Sequence, residues 1–342
     1  MLTAKNRVAI LLEGGIKGDH GKTGLAFLRY SNTQMVAAID RACAGQSLAE
    51  LTKIEHDIPI VADVQAALAY KPDALLIGIA PSGGQLPGEL QQEVEIAIKE
   101  GLSIINGLHT LLAPQFPDLI PGQWIWDIRQ EPLGLTIGQG KAKSLAAQRI
   151  LTVGTDMAIG KMSTSLEIYR AALRQGIKAQ FVATGQAGIA IAGQGIALDA
   201  VRVDFAAGAV EKTVIELGKD QDLVIIEGQG SLLHPGSTAT LPLIRGSQPT
   251  GLILVHRAGA KHIRDLPDIM IPPLPEVIKL YETVASAGGT FGDVKVKAIA
   301  LNTFDMDTIT AQEAIKFTSK LTGLPCSDAV RFGGETLLSV IS

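Results

Sequence analysis

Short apolar runs alternate with longer amphipathic segments along the first part of the chain. The runs are continuously apolar or nearly so, and each ends in a polar or glycine-rich turn: 8–12, 35–39, 74–79 and 102–105. Between the last two runs, segment 89–99 carries Leu90, Val94 and Ala97 at helical spacing. Apolar strands separated by helix-length segments are typical of a parallel sheet covered on both faces. The pattern therefore predicts an α/β domain, with 124–128 as an added edge strand.

The same alternation restarts after an irregular junction at 130–148, which contains Pro132, Gly134 and Gly-Gln-Gly at 138–140. The later apolar runs are 149–153, 179–183, 223–226, 251–255 and 296–301, with a helical segment at 209–217. The chain is therefore predicted to hold two α/β domains, over residues 1–135 and 136–342.

Composition narrows the function classes. The chain has 342 residues, of which 46% are hydrophobic and only 4% aromatic, so the cores are expected to be aliphatic. A net charge of −4 without a basic block disfavours nucleic-acid binding. Cys43 and Cys326 lie far apart in sequence, which fits a reducing cytoplasm better than a disulfide scaffold. No apolar run approaches the roughly 20 residues of a membrane helix, so no membrane span is expected.

The run at 149–153 leads into GTDMAIGKMS, at 154–163. A strand, a glycine-bounded loop, a lysine and a helix start form an arrangement that holds phosphate. Backbone N–H groups point inward, the helix N-terminus adds positive potential, and the lysine adds a full charge. The second domain is therefore predicted to be P-loop NTPase-like. The residues expected to line the phosphate site are Gly154, Thr155, Asp156, Gly160, Lys161, Met162, Ser163 and Thr164.

This loop departs from the usual Walker pattern because five residues, not four, separate Gly154 from Gly160. It resembles the variant loop of dethiobiotin synthetase, in which a threonine after the lysine ligates Mg²⁺. Here that position is Met162, and a thioether is a poor ligand for a hard cation. We therefore predict diphosphate binding without a metal, with Ser163 as a further phosphate contact, and keep ATP with Mg²⁺ as the alternative.

Other strand ends supply candidate site residues. Glu227 follows the run at 223–226 and is predicted to be catalytic, as is His234, a candidate general base. Gly185 and Gln186 follow the run at 179–183 and are predicted to line the cofactor site. Asn302 follows 296–301, and its amide matches the donor and acceptor of an adenine edge. An ordinary turn or cap is the structural alternative for each.

Further charged positions carry weaker signals. His256, Arg257 and Arg264 add positive charge that is expected to grip an extra phosphate or a carboxylate. In the first half, Asp40 ends an apolar run where dinucleotide folds place a ribose-binding acid, but the preceding loop is not GxGxxG. The glycine-rich turn 81–84 is a candidate cleft wall or a plain loop.

A resemblance to a known family covers nearly the whole chain. The stretches that carry it are KTGLAFLRY (22–30), VAAIDRACAGQ (36–46), APSGGQLP (80–87), GTDMAIGKMSTSLEI (154–168), ATGQAGIAIAG (183–193), DFAAGAVE (204–211), IIEGQGSLLHP (225–235) and SDAVRFGGETLL (327–338). They resemble the D-glutamate N-acetyltransferase-like family, long catalogued as a domain of unknown function.

The resemblance implies a Rossmann-like N-terminal domain and a P-loop C-terminal domain. It also implies transfer of an acetyl group from acetyl-CoA to the amine of a D-amino acid such as D-glutamate. Apart from the resemblance, the glycine-rich loops and apolar sheet edges are compatible with a homo-oligomer, and the cysteine usage is compatible with a cytoplasmic enzyme. The loop alone leaves open an ATP-dependent ligase or kinase, or a nucleotide-responsive protein without turnover.

Overall fold

The computed structural model describes residues 2–3, 5–18, 20–80, 86–287 and 292–341, so the candidate turn 81–84 lies outside the described residues. Contacts divide the chain into two compact units. The first runs to Glu131 and also contains Gln186–Ala200; the second comprises Pro132–Gly185 and the chain from Val201 onward. Each unit is built on a parallel sheet with helices, which confirms the two-domain α/β fold.

In the first unit the strands are β1 (Arg7–Leu11), β2 (Gln34–Ile39), β3 (Ile60–Val61), β4 (Ala74–Ile77), β5 (Ser103–Asn106) and β6 (Ile125–Asp127). The helices of residues up to Glu131 are α1 (Lys22–Tyr30), α2 (Leu48–Thr52), α3 (Val64–Ala67) and α4 (Gly88–Lys99). The sheet order is β3-β2-β1-β4-β5-β6, with parallel pairing throughout. This order is that of a Rossmann-like sheet, and the predicted edge strand is β6.

Asp40 follows β2 and is completely buried. Its carboxylate accepts a hydrogen bond of 3.2 Å from the amide of Ile16, in the loop that follows β1. The side chain therefore fastens this loop to the end of β2.

In the second unit the strands are β7 (Gln148–Gly154), β8 (Ala179–Val182), β9 (Leu223–Ile226), β10 (Gly251–Arg257), β11 (His262–Ile263), β12 (Leu266–Met270), β13 (Val296–Asn302) and β14 (Cys326–Ser327). The helices after Glu131 are α5 (Lys161–Arg174), α6 (Gln186–Ala192), α7 (Val203–Gly218), α8 (Thr240–Ser247), α9 (Leu274–Ala287), α10 (Thr308–Thr322), α11 (Ala329–Phe332) and α12 (Glu335–Leu338). Helix α6 belongs to the first unit and packs on α1.

The parallel sheet of the second unit has the order β14-β13-β10-β7-β9-β8, and β11 pairs with β12 as an antiparallel hairpin. Strand β7 therefore lies between β10 and β9. Because parallel strands end at the same edge, this order brings the loop after β7 beside the residues that follow β9 and β10.

Helix α5 begins where the phosphate loop ends. Gly160 has φ +106°, a left-handed conformation that strains other residues, and the helix starts at the next position. One apolar face of α5, formed by Ile168, Ala171 and Ala172, is buried against the sheet and the C-terminal helices. Tertiary packing thus fixes the direction in which the helix N-terminus points. Among the described residues, no helix has the length and apolar character needed to cross a membrane.

Candidate functional site

The ammonium group of Lys161 lies inside the loop that joins β7 to α5. The side chain is only 6% exposed, and its Nζ donates a hydrogen bond of 2.7 Å to the carbonyl oxygen of Asp156. Burial lowers the pKa of Lys161 to about 8, while the negative charges of Asp156 and Glu227 oppose that shift. A buried cation at a helix N-terminus is an anion-binding arrangement.

Glu227 stands directly after β9, next to β7, and is also buried. Its Oε2 accepts hydrogen bonds from the amides of Thr184 (2.8 Å) and Gly185 (3.3 Å), and its Oε1 accepts one of 3.1 Å from Nε2 of Gln229. Burial nevertheless raises the pKa of Glu227 to about 7, and the hydrogen bonds and the attraction of Lys161 only reduce the shift. A carboxyl group with this pKa can exchange a proton near neutral pH.

Gly228 allows β9 to approach β7 closely at the site. Its amide donates a 2.9 Å hydrogen bond to Oγ1 of Thr152, whose hydroxyl lies 3.0 Å from that of Ser165 on α5. A Cβ on Gly228 would overlap the carbonyl oxygen of Thr152 and reach 3.0 Å from Cδ of Lys161. Sequence reasoning did not single out Thr152 or Ser165; the signal was a polar residue inside the apolar run 149–153.

Thr155 and His256 connect the phosphate loop to β10. The Oγ1 of Thr155 lies 2.9 Å from Nδ1 of His256, and both side chains are buried. Burial lowers the pKa of His256 to about 4, so the imidazole is neutral at physiological pH. The expectation that His256 adds positive charge is therefore wrong, because burial of the ring disfavours its charged form.

Asp156 organises backbone on both sides of the loop. Its Oδ1 accepts a 2.6 Å hydrogen bond from the amide of Met157, and its Oδ2 accepts one of 2.7 Å from the amide of Arg264 at the β11–β12 turn. The carboxylate, predicted to line the phosphate site, thus ties the hairpin to the loop.

Tyr281 was not anticipated from the sequence. It lies on α9, is completely buried, donates a 2.7 Å hydrogen bond to the carbonyl oxygen of Gly154 and accepts one of 3.1 Å from the amide of Leu232. A tyrosine in an amphipathic helix gives no local sign of a partner far away in sequence.

The remaining predicted cofactor residues are spread over three elements. Met162 and Ser163 are half-buried and Thr164 is buried, all in the first turn of α5. Gln186 opens α6 and belongs to the first unit. Asn302 contacts the loop: its Nδ2 donates 2.9 Å to the carbonyl oxygen of Ile159, while its Oδ1 accepts from the amide of Phe304 at 3.0 Å. The adenine-reading role of Asn302 stays a prediction, although both ends of its amide have partners in the protein.

His234 lies half-buried in the loop after β9. Its Nδ1 accepts a 3.0 Å hydrogen bond from the amide of Gly236. Neutral His234 in this arrangement carries its proton on Nε2, so the outer nitrogen is a donor. The geometry therefore favours Glu227 over His234 as the base.

Comparisons with known proteins agree with this architecture. Residues 136–338 match the model described as domain of unknown function (DUF1611_C) P-loop domain, and residues 41–131 match the domain of unknown function (DUF1611_N) Rossmann-like domain. The chain is 60% identical to a DUF1611 family protein from Anabaena variabilis ATCC 29413 with a crystal structure at 2.30 Å. The TM-score is 0.95, and the match covers 98% of this chain and 99% of that one.

Two curated relatives carry a functional name. A D-glutamate N-acetyltransferase of Pseudoalteromonas sp. is 36% identical over 270 residues, which cover 77% of this chain and 80% of the relative. A second D-glutamate N-acetyltransferase, of Tritonibacter scottomollicae, is 35% identical over 285 residues, 82% of this chain and 84% of the relative. These matches confirm the resemblance found in the sequence and the prediction of an N-acyltransferase enzyme.

Proposed function

This chain belongs to the DUF1611 family, and from that premise we propose that it transfers the acetyl group of acetyl-CoA to the amine of a D-amino acid such as D-glutamate. The observation that carries the proposal is the buried pair formed by Lys161, the first residue of α5, and Glu227, which directly follows β9 in the second unit. Lys161 is suited to binding an anionic cofactor, and Glu227 is suited to a proton transfer.

In this proposal the loop 154–163 holds the diphosphate of CoA. Lys161 supplies the full positive charge, and the first turn of α5 supplies backbone N–H groups and the positive end of the helix dipole. Met162 takes the place of the hydroxyl that would ligate Mg²⁺ in a Walker loop. In this proposal Lys161 and the helix neutralise the diphosphate, and no cation is assigned to this site.

Glu227 is proposed to accept the proton of the substrate amine. The amine nitrogen attacks the thioester carbonyl carbon, the new C–N bond forms, and the C–S bond breaks. Glu227 takes the proton that nitrogen loses and returns it to the departing sulfur, so that free CoA thiol and the N-acetyl amino acid leave. A base with a pKa of about 7 is well matched to this transfer. We assign His234 a donor role through Nε2–H at the same edge.

Incubation with acetyl-CoA and a panel of D- and L-amino acids tests the reaction. We expect free thiol release with D-glutamate and an N-acetyl product by mass spectrometry. If none of the tested acceptors causes thiol release, the proposal is overturned. Consumption of ATP in the presence of Mg²⁺ would favour the ligase or kinase alternative.

A matched pair of variants tests the base. Glu227→Gln is expected to retain CoA binding by calorimetry but lose turnover by about 10²–10⁴-fold, the usual contribution of a general base. Glu211→Gln is the control, since Glu211 is likewise buried and accepts backbone hydrogen bonds, from the amides of Gln139 and Lys141, away from the loop. Equal losses in both variants would mean that Glu227 has only a structural role.

A further inference from the structure

A cavity of about 290 Å³ adjoins the phosphate loop on the β10 side. Loop residues 155–159 form one wall and residues 257–260, after β10, form another; His262, Arg264 and Ile271 complete the lining. Small-molecule sites usually measure about 300–1,000 Å³. This cavity is thus sized for one end of a ligand whose remainder lies elsewhere, and the loop itself is the adjoining part.

Arg257 and Arg264 give the cavity cationic side chains. Arg257 pairs with Asp305 through hydrogen bonds of 3.1 and 2.5 Å, but the two side chains are 44% and 58% exposed. Nε of Arg264 lies 3.6 Å from the carboxylate of Asp265, which is also exposed. Exposed ion pairs contribute only about 0–1 kcal/mol, so a ligand phosphate can compete with these carboxylates for both guanidinium groups.

The negatively charged group in the cavity lining is the carboxylate of Asp156, which already has hydrogen-bond partners within the protein. Both of its oxygens accept hydrogen bonds from backbone amides, one of them that of Arg264. The same bond holds the segment that carries Arg264 at a fixed position relative to the phosphate loop. A group bound by Arg264 and a diphosphate bound by the loop would therefore be held at a set spacing.

We propose that this cavity binds the 3′-phosphoadenosine end of the acyl donor, with Arg257 and Arg264 on the 3′-phosphate. The inference rests on the proposed function, in which the loop holds the diphosphate. CoA differs from ATP and ADP in carrying this extra phosphate on its ribose, and guanidinium groups bind phosphate bidentately. The small apolar residues of the walls, Ala158, Ala258 and Ala260, leave room for the sugar and base. The cavity thus selects CoA over adenine nucleotides that lack the 3′-phosphate.

The test compares CoA with 3′-dephospho-CoA, by calorimetry on the full chain. Wild type is expected to bind CoA at least about tenfold more tightly, the size expected for hydrogen bonds to a charged group. Arg257→Gln/Arg264→Gln should remove this difference by weakening CoA alone, while dephospho-CoA binds as before. Arg245→Gln, an exposed arginine on α8 outside the cavity, is the control and should keep the full preference.

A variant that is expected to tighten CoA binding, instead of weakening it, strengthens the test. Asp305→Asn removes the carboxylate that competes for Arg257 and should tighten binding of CoA but not of dephospho-CoA. Equal affinity of wild type for both ligands, or equal weakening of both by the double variant, would overturn this cavity assignment while leaving the proposed function intact. Failure of wild type to bind either ligand would instead overturn the proposed function itself.

Discussion

The hydroxyl group of Tyr281 donates a 2.7 Å hydrogen bond to the carbonyl oxygen of Gly154, the last residue of β7. The same hydroxyl accepts a hydrogen bond from the amide of Leu232, in the loop that follows Glu227 along the chain. One buried side chain on α9 therefore joins the start of the phosphate loop to the segment after the proposed base.

Removal of this hydroxyl is expected to destabilise the second unit. In Tyr281→Phe the carbonyl of Gly154 and the amide of Leu232 lose their shared partner, at a cost of about 1–3 kcal/mol. Denaturant unfolding measures the loss, and Tyr70→Phe at a 40% exposed tyrosine is the control. A midpoint equal to that of wild type would show that water or a backbone shift satisfies both groups.

The buried pair predicts a bell-shaped pH dependence of kcat/KM for acetyl-CoA at saturating D-glutamate. Activity should rise as Glu227 loses its proton near pH 7, and fall as Lys161 loses its charge near pH 8. Because the two groups attract each other, the apparent pKa values of the two limbs belong to the pair and not to either residue alone. Lys161→Arg keeps the charge at high pH and should remove the alkaline limb; its persistence would assign that limb to another group.

Stability should depend on pH through the same carboxyl group. The pKa of Glu227 is raised from 4.5 to about 7, so the folded protein retains a proton that the unfolded chain releases. The contribution of this retained proton to the stability of the folded protein is fully present below about pH 4.5 and is lost as the pH rises through 7. Glu227→Gln cannot titrate and should therefore gain roughly 1–3 kcal/mol relative to wild type between pH 5 and 7.5. A constant difference in unfolding free energy across this range would contradict the raised pKa.

Periodicity was sufficient to predict the fold because the sheet strands are buried on both faces and read as continuous apolar runs, as at β1 and β4. Glycine and lysine at fixed spacing were sufficient to place the phosphate loop. No local sequence pattern predicts that Gln186–Ala200 belongs to the first unit, because this depends on the packing of α6 against α1.

The roles of individual side chains were harder to predict, because they too depend on tertiary packing. The neutrality of His256 depends on burial, and the partners of Tyr281 lie 49 and 127 positions away along the chain, which periodicity does not encode. Asn302 was correctly found at a strand end beside the loop, but its contacts with Ile159 and Phe304 required coordinates.

The proposal that the loop binds a diphosphate without a metal gives a direct prediction. Since Met162 replaces the hydroxyl ligand expected for Mg²⁺, chelation with EDTA should leave acetyl transfer and CoA affinity unchanged. Both are measured before and after dialysis against the chelator. A loss of activity that returns with Mg²⁺ would show that another ligand set holds the ion.

Gly228 offers a test of the close approach on which the site depends. In Gly228→Ala the new methyl group would overlap the carbonyl oxygen of Thr152, a backbone atom that cannot rotate away, and would crowd Cδ of Lys161. We expect a loss of more than about 3 kcal/mol of unfolding free energy, above the usual cost of overpacking, because two strands must separate. CoA affinity should fall as well, since Lys161 is displaced from the loop.

Gly88→Ala is the matched control, because a Cβ there meets no atom within 4 Å and the residue begins α4. Its unfolding free energy should equal that of wild type to within about 0.5 kcal/mol. If Gly228→Ala unfolds at the same denaturant concentration as this control, β7 and β9 have room to separate. Lys161 and Glu227 would then not be held together by the packing of Gly228 on Thr152.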